Sequence, residues 1–127
     1  MRNIQSYRHW MSEEIVKAYL LQTDLVEVTE DLSNSKFDFV VMSKKDISKV
    51  IAVEVKASSY SGQRLLKHYI ITRKSLLKCK FPAMIFYVNS LAQKGSFEVI
   101  NKQLNDTLVE LSPDKLKKEI KNLFMHY

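Results

Sequence analysis

The sequence predicts an α/β domain, a mixed central β-sheet flanked by helices, on three observations. Residues 36–58, KFDFVVMSKKDISKVIAVEVKAS, read as two apolar strands around a polar connector of hairpin length. Residues 63–80, QRLLKHYIITRKSLLKCK, follow with Leu65, Leu66, Tyr69, Ile70, Leu76 and Leu77 on one helical stripe. PAMIFYVN at 82–89 then returns to a strand of the buried type. A hairpin, a helix and a further strand imply a crossover, hence a mixed sheet with helices packed on it.

The remaining elements follow in order. In residues 6–23, Trp10, Ile15, Val16, Tyr19 and Leu20 fall near helical spacing. Ser12 is placed to cap a helix starting at Glu13, or the helix starts earlier, near Ser6. Trp10 reads as an anchor of this helix rather than as a platform for a base. Leu25, Val26 and Val28 mark a short strand, and residues 32–35 a loop. The hairpin strands are 37–42 and 49–57, and the β-branched density of the second suggests a central strand covered on both faces. After the strand at 82–89 come a turn at 92–96, a shorter strand at 96–100, and a short strand or turn near 107–111. A last helix is capped by Ser112, with Pro113 at its first position and Asp114 in its first turn. No internal repeat or domain boundary is visible, so residues 1–127 read as a single domain, its core about 10–100, with a C-terminal helix at 113–125.

The chain of 127 residues is long enough for one real core, and 46% hydrophobic with 27% charged residues is ordinary for a soluble globular protein. No apolar run reaches the roughly 18 residues of a bilayer span, and the N-terminus lacks a signal-peptide core. Membrane insertion is therefore not expected. The single cysteine, Cys79, forms no internal disulfide, lacks zinc-type neighbours and reads as structural; it points to a cytoplasmic location. A net charge of +6 favours a polyanionic partner, nucleic acid foremost, although other basic proteins share it.

Charges in the hairpin need an explanation, because unpaired charges among Val, Ile and Phe are costly. Glu54 and Lys56 are two apart and share a face, with Val53 and Val55 on the other. Asp38 can lie across the hairpin near Glu54. Carboxylates of this kind hold a hard divalent ion together with substrate phosphate, and a neighbouring lysine can hold the attacking water. Phosphodiester hydrolysis suits the set. A solvent-facing strand side with an Asp–Lys pair accounts for the same residues without chemistry. His9, His68 and His126 are too scattered in sequence for a metal site and read as surface or helix-face residues.

The succession SEEIVKAYLL, FDFVV and IAVEVKAS resembles the PD-(D/E)xK nuclease superfamily, and within it small Holliday-junction-resolvase-like and restriction-endonuclease-like domains. The resemblance spans roughly residues 10 to 100. It implies a restriction-endonuclease-like core and a Mg²⁺- or Mn²⁺-dependent endonuclease acting on DNA. Asp38, Glu54 and the Val55 carbonyl would be metal ligands, Lys56 would position the water, and Glu13 would be the helix carboxylate, with Glu14 as fallback. Gln63 would contact substrate or site. Phe37 stands where the family signature has proline. The tripeptide recurs as Glu119-Ile120-Lys121 after Pro113-Asp114, but Leu116, Ile120, Leu123 and Phe124 put it on a helix, where Glu119 and Lys121 diverge.

Arg64, Lys67, Arg73, Lys74, Lys78 and Lys80 could track a phosphate backbone beside this site. Lys115, Lys117, Lys118 and Lys121 read by default as a solvated face. A homodimer or protein partner is expected where one small domain cannot cover its substrate. The competing readings are a catalytically inactive nuclease-fold protein that binds nucleic acid or protein, in a phage, mobile-element or defence setting, and an interaction domain with no nucleic-acid role.

Overall fold

The computed structural model describes residues 4–29, 37–57, 82–100 and 108–126. The expected helix at 63–80, with Gln63, Arg64, Lys67, His68, Arg73, Lys74, Lys78, Cys79 and Lys80, lies outside the described residues.

Six strands form one mixed sheet in the order β1-β2-β3-β4-β5-β6: Val26–Thr29, Phe39–Ser43, Val50–Ala57, Ala83–Asn89, Lys94–Ile100 and Val109–Glu110. Among the described residues two helices, α1 (Ile4–Gln22) and α2 (Pro113–Met125), pack on it. The β2–β3 hairpin pairs Phe39 with Val53 and Val41 with Ile51. Its turn is held locally: Ser43 Oγ accepts from Lys45 and Asp46 N–H, and Asp46 Oδ1 accepts from Ser48 N–H. β3 runs parallel to β4, from Ala52 beside Ala83 to Ala57 beside Val88. Every other neighbouring pair is antiparallel.

Alternation sorts the strand residues onto two faces. On one, Ile51, Val53 and Val55 of β3 join Phe39, Val41, Met84, Phe86, Val88 and Phe97. Val16 and Leu20 of α1 and Leu116, Ile120 and Leu123 of α2 seal this face. Phe86 stacks on Phe97 with ring centroids 5.5 Å apart. On the other, Ala52, Ala83, Ile85, Tyr87 and Ile100 are buried together. Glu98 is fully buried and accepts from the Tyr87 hydroxyl at 3.2 Å. β3 is thus central, as expected; its Ile51, Val53 and Val55 face is fully buried, while on the other face Ala52 is buried and Glu54 and Lys56 are only partly so.

Several boundaries differ from expectation. α1 begins by Ile4, and Ser12 is not its cap. Ser12 is buried within the helix, and its hydroxyl donates to the Arg8 carbonyl one turn back at 2.9 Å. Trp10 does not anchor α1: it is 42% exposed, and Val16 and Leu20 do the anchoring. β5 begins at Lys94, so the turn precedes Gly95 rather than containing it; Gln93 takes the left-handed conformation there, with φ 53°. Residues 109–110 are a strand, which Leu111 N–H fastens to the Gly95 carbonyl at 2.9 Å. Ser112 caps α2 as expected, accepting from Lys115 N–H.

Candidate metal centre

β3 continues past the point where β2 begins. The two strands pair as far as Phe39 opposite Val53, and beyond that Val55 N–H donates to Asp38 Oδ2 at 2.7 Å. The Asp38 carboxylate therefore continues the ladder where the β2 backbone stops. Asp38 N–H reaches both the Val53 carbonyl, at 3.1 Å, and Glu54 Oε1, at 3.0 Å. Glu54 is thereby locked against the start of β2. Lys56, two residues on and on the same face, sets its Nζ 3.8 Å from Glu54 Oε2.

The other Asp38 oxygen faces α1. His9 Nε2 lies 3.0 Å from Asp38 Oδ1 and 2.8 Å from Glu13 Oε1. His9 and Glu13 are one helical turn apart and so share a face of α1. His9 Nε2 thus lies within hydrogen-bond distance of an oxygen of each carboxyl group. His9, Glu13 and Asp38 are partly buried, and one ligand atom from each lies within 4.8 Å of the others.

Electrostatics reflect this crowding of acids. The hydrogen bond to Asp38 raises the His9 pKa, helped by the charges of Asp38 and Glu13 and opposed by burial. Burial raises Glu13, and the Asp38 charge adds to it against His9 and Lys17. Burial pushes Asp38 upward too, but the hydrogen bonds from His9 and Val55 N–H outweigh it and hold Asp38 low. Burial, reinforced by the Asp38 charge, pushes Glu54 up to about 7 against the pull of Lys56 and the Asp38 N–H. Asp38 is thus the fixed anion, and the two acids beside it are reluctant to ionise.

The structure brings Asp38, Glu54, Lys56 and Glu13 to one place. Glu14 turns away: it is 49% exposed, with its carboxylate 3.8 Å from Lys17 Nζ. Val55 enters through its N–H. Glu119 and Lys121 lie on α2, as their helical spacing requires, and Lys115, Lys117, Lys118 and Lys121 are exposed there. His9 corrects the reading of that residue as an unremarkable helix-face side chain. Its signal was the His9–Glu13 spacing of four, which becomes meaningful once α1 extends through both positions.

These observations define an α/β protein with a partly buried His–Glu–Asp cluster able to coordinate a divalent metal ion. No family model and no curated protein matches the chain.

Proposed function

We propose that this protein is a metal-dependent nuclease that hydrolyses DNA phosphodiester bonds, with Mg²⁺ or Mn²⁺ as its ion. One observation carries the reading. The Asp38 carboxylate ties α1 to β3, with His9 on one oxygen and Val55 N–H on the other, and Glu13 and Glu54 stand beside it.

The donor set fits a hard or borderline divalent cation, which takes carboxylate oxygens and imidazole nitrogen. Three carboxyl groups beside one imidazole leave the centre short of positive charge. Asp38, Glu13 and His9 would hold the ion, and Glu54 borders them through the Asp38 N–H. The Val55 carbonyl would be a further oxygen ligand, a role its N–H bond to Asp38 supports because a residue's N–H and C=O leave a strand on the same side. Such an ion, when bound, supplies a polarised phosphate and a water of lowered pKa. Lys56, about one-third exposed beside Glu54, is placed to orient that water or to stabilise charge on the phosphate.

The test is cleavage of plasmid, linear duplex and single-stranded DNA, and of RNA, with Mg²⁺ and with Mn²⁺. Asp38→Asn, Glu54→Gln and Lys56→Ala are each expected to lower the rate about 100-fold or more while the circular dichroism spectrum is kept. Uncut DNA with both ions, or wild-type rates in these variants, contradicts the proposal.

One observation favours a second reading, an inactive nuclease-like fold that binds nucleic acid or protein. Both Asp38 oxygens already have partners within the chain, as they would in a purely structural knot. Calorimetric titration with Mn²⁺ separates the two, since the inactive form has no carboxylate-dependent ion site.

A further inference from the structure

We infer that Lys17 is a resident positive charge of the candidate centre that sets how tightly the centre holds its divalent ion. The inference deepens the proposed function and rests on its ion site, the His9–Glu13–Asp38 cluster.

An ammonium at this position is costly. The Lys17 side chain is only 15% exposed, so its charge is largely out of water. Two contacts hold it there. Nζ lies over the buried Phe39 ring, 5.3 Å from the centroid, and 3.8 Å from Glu14 Oε1. Phe39 directly follows Asp38, and Lys17 follows Glu13 by one helical turn on the same face of α1. The ammonium is thus fixed between the two elements that supply the cluster. Its field reaches that cluster: burial raises the Glu13 pKa, and the Lys17 charge is among the pulls against it. A methionine would lay a similar stem on Phe39 without burying a charge. Packing alone therefore does not call for a lysine here.

What the charge does to an ion follows from its sign. Lys17 favours Glu13 as a carboxylate, which readies a ligand. It also repels any cation that Glu13 takes up. Residues four apart on a helix have Cβ atoms about 5–6 Å apart, so an ion on Glu13 stands within about 10 Å of the ammonium. A doubly charged ion feels the field twice over, and a charge this far out of water is poorly screened by salt. Well above the carboxylate range Glu13 ionises without help, and the repulsion is what remains.

The probe is Mn²⁺, titrated calorimetrically into the full chain at about pH 8. Lys17→Met keeps the stem and removes the charge, and it is expected to bind Mn²⁺ between about threefold and 30-fold more tightly than wild type. Lys17→Arg keeps the charge and is expected to bind as wild type does. Lys44→Met removes the same net charge from an exposed pair with Asp24, beyond the far end of β2, and is expected to leave the affinity unchanged. Unchanged or weaker binding by Lys17→Met overturns the inference, and a lowered urea midpoint would then assign Lys17 to holding α1 on β2. Equal tightening in Lys17→Met and Lys44→Met overturns it too, because net charge alone would be responsible. Wild type that binds no Mn²⁺ removes the ion site and the inference together. Tighter binding by Lys17→Met in a protein that cleaves no DNA keeps the inference and removes the nuclease.

Discussion

At the scale of single residues, the centre is a contest between burial and charge, and Glu54 registers the outcome. Its carboxyl rises from an ordinary 4.5 to about 7, so the fold binds its proton more tightly than the unfolded chain does. The stability it contributes is full below about pH 4.5 and is lost as pH rises through about 7. His9 is also raised and works in the same direction, whereas lowered Asp38 contributes above its ordinary 3.8 and loses that as pH falls. Metal-free protein is therefore expected to be most stable in mildly acidic solution. Between about pH 5 and 8 the Glu54 contribution falls by about 1–3 kcal/mol, less than the full shift implies because solvent reaches the group in part. Urea denaturation at the two pH values measures this, and Glu54→Gln, which keeps an acceptor for Asp38 N–H, is expected to remove most of the slope. A Glu54→Gln protein with the wild-type slope contradicts the assignment. Glu54 and Lys56 were legible in the sequence because strand alternation puts them on one face of β3, and Asp38 because a hairpin sets the residue before β2 across from β3. His9 was not, because 29 residues separate it from Asp38 and only the packing of α1 on the sheet unites them.

At the scale of elements, local signals and tertiary demands diverge in two places. Ser12 followed by two glutamates imitates a helix start, yet the helix passes through it, with the Ser12 hydroxyl turned back onto the Arg8 carbonyl and His9 held against Asp38. Gly95 reads as part of a turn, yet it lies inside β5 opposite Val88. The reason is steric. A Cβ at Gly95 would come within 2.5 Å of the Tyr87 carbonyl oxygen and 3.3 Å of Val88 Cα, so glycine is required for close backbone approach. Gly95→Ala is expected to destabilise the protein by about 1–3 kcal/mol, because backbone must shift to admit the methyl. Urea midpoints of the two proteins check it, and an unchanged midpoint means the strands yield without cost. The β2–β3 hairpin was legible, since its β-branched density and polar connector agree with its tertiary role, except that β2 begins at Phe39 rather than at residue 37 because Asp38 pairs through its carboxylate. The edge strand β6 was only half legible, because two residues fastened by Leu111 N–H carry no periodicity of their own.

At the scale of the whole molecule, the sheet does one thing that no element does alone. Parallel pairing of β3 with β4 covers β3 on one side, while on the other, among the described residues, β2 pairs with it only as far as Val53. α1 supplies His9 and Glu13 there. Acids are thus gathered at a cost that the folded chain bears by itself, through the raised pKa values of Glu13 and Glu54. A divalent ion that binds only the folded arrangement returns that cost as stability. At a hundredfold excess over its Kd the gain is about 2.7 kcal/mol, roughly 10 °C in melting temperature for a domain of this size. The gain should be larger at about pH 8 than at about pH 5, because the ion competes with the protons on His9, Glu13 and Glu54. Calorimetric melting of wild type, His9→Ala and Asp38→Asn with Mg²⁺ and with Mn²⁺ tests this. Wild type is expected to melt higher with the ion and both Asp38→Asn and His9→Ala to lose the increment; a His9→Ala protein that keeps it would make His9 a bystander. An equal rise in wild type and Asp38→Asn would place the ion elsewhere, and no rise with either ion would reduce the cluster to a structural tie between α1 and β3.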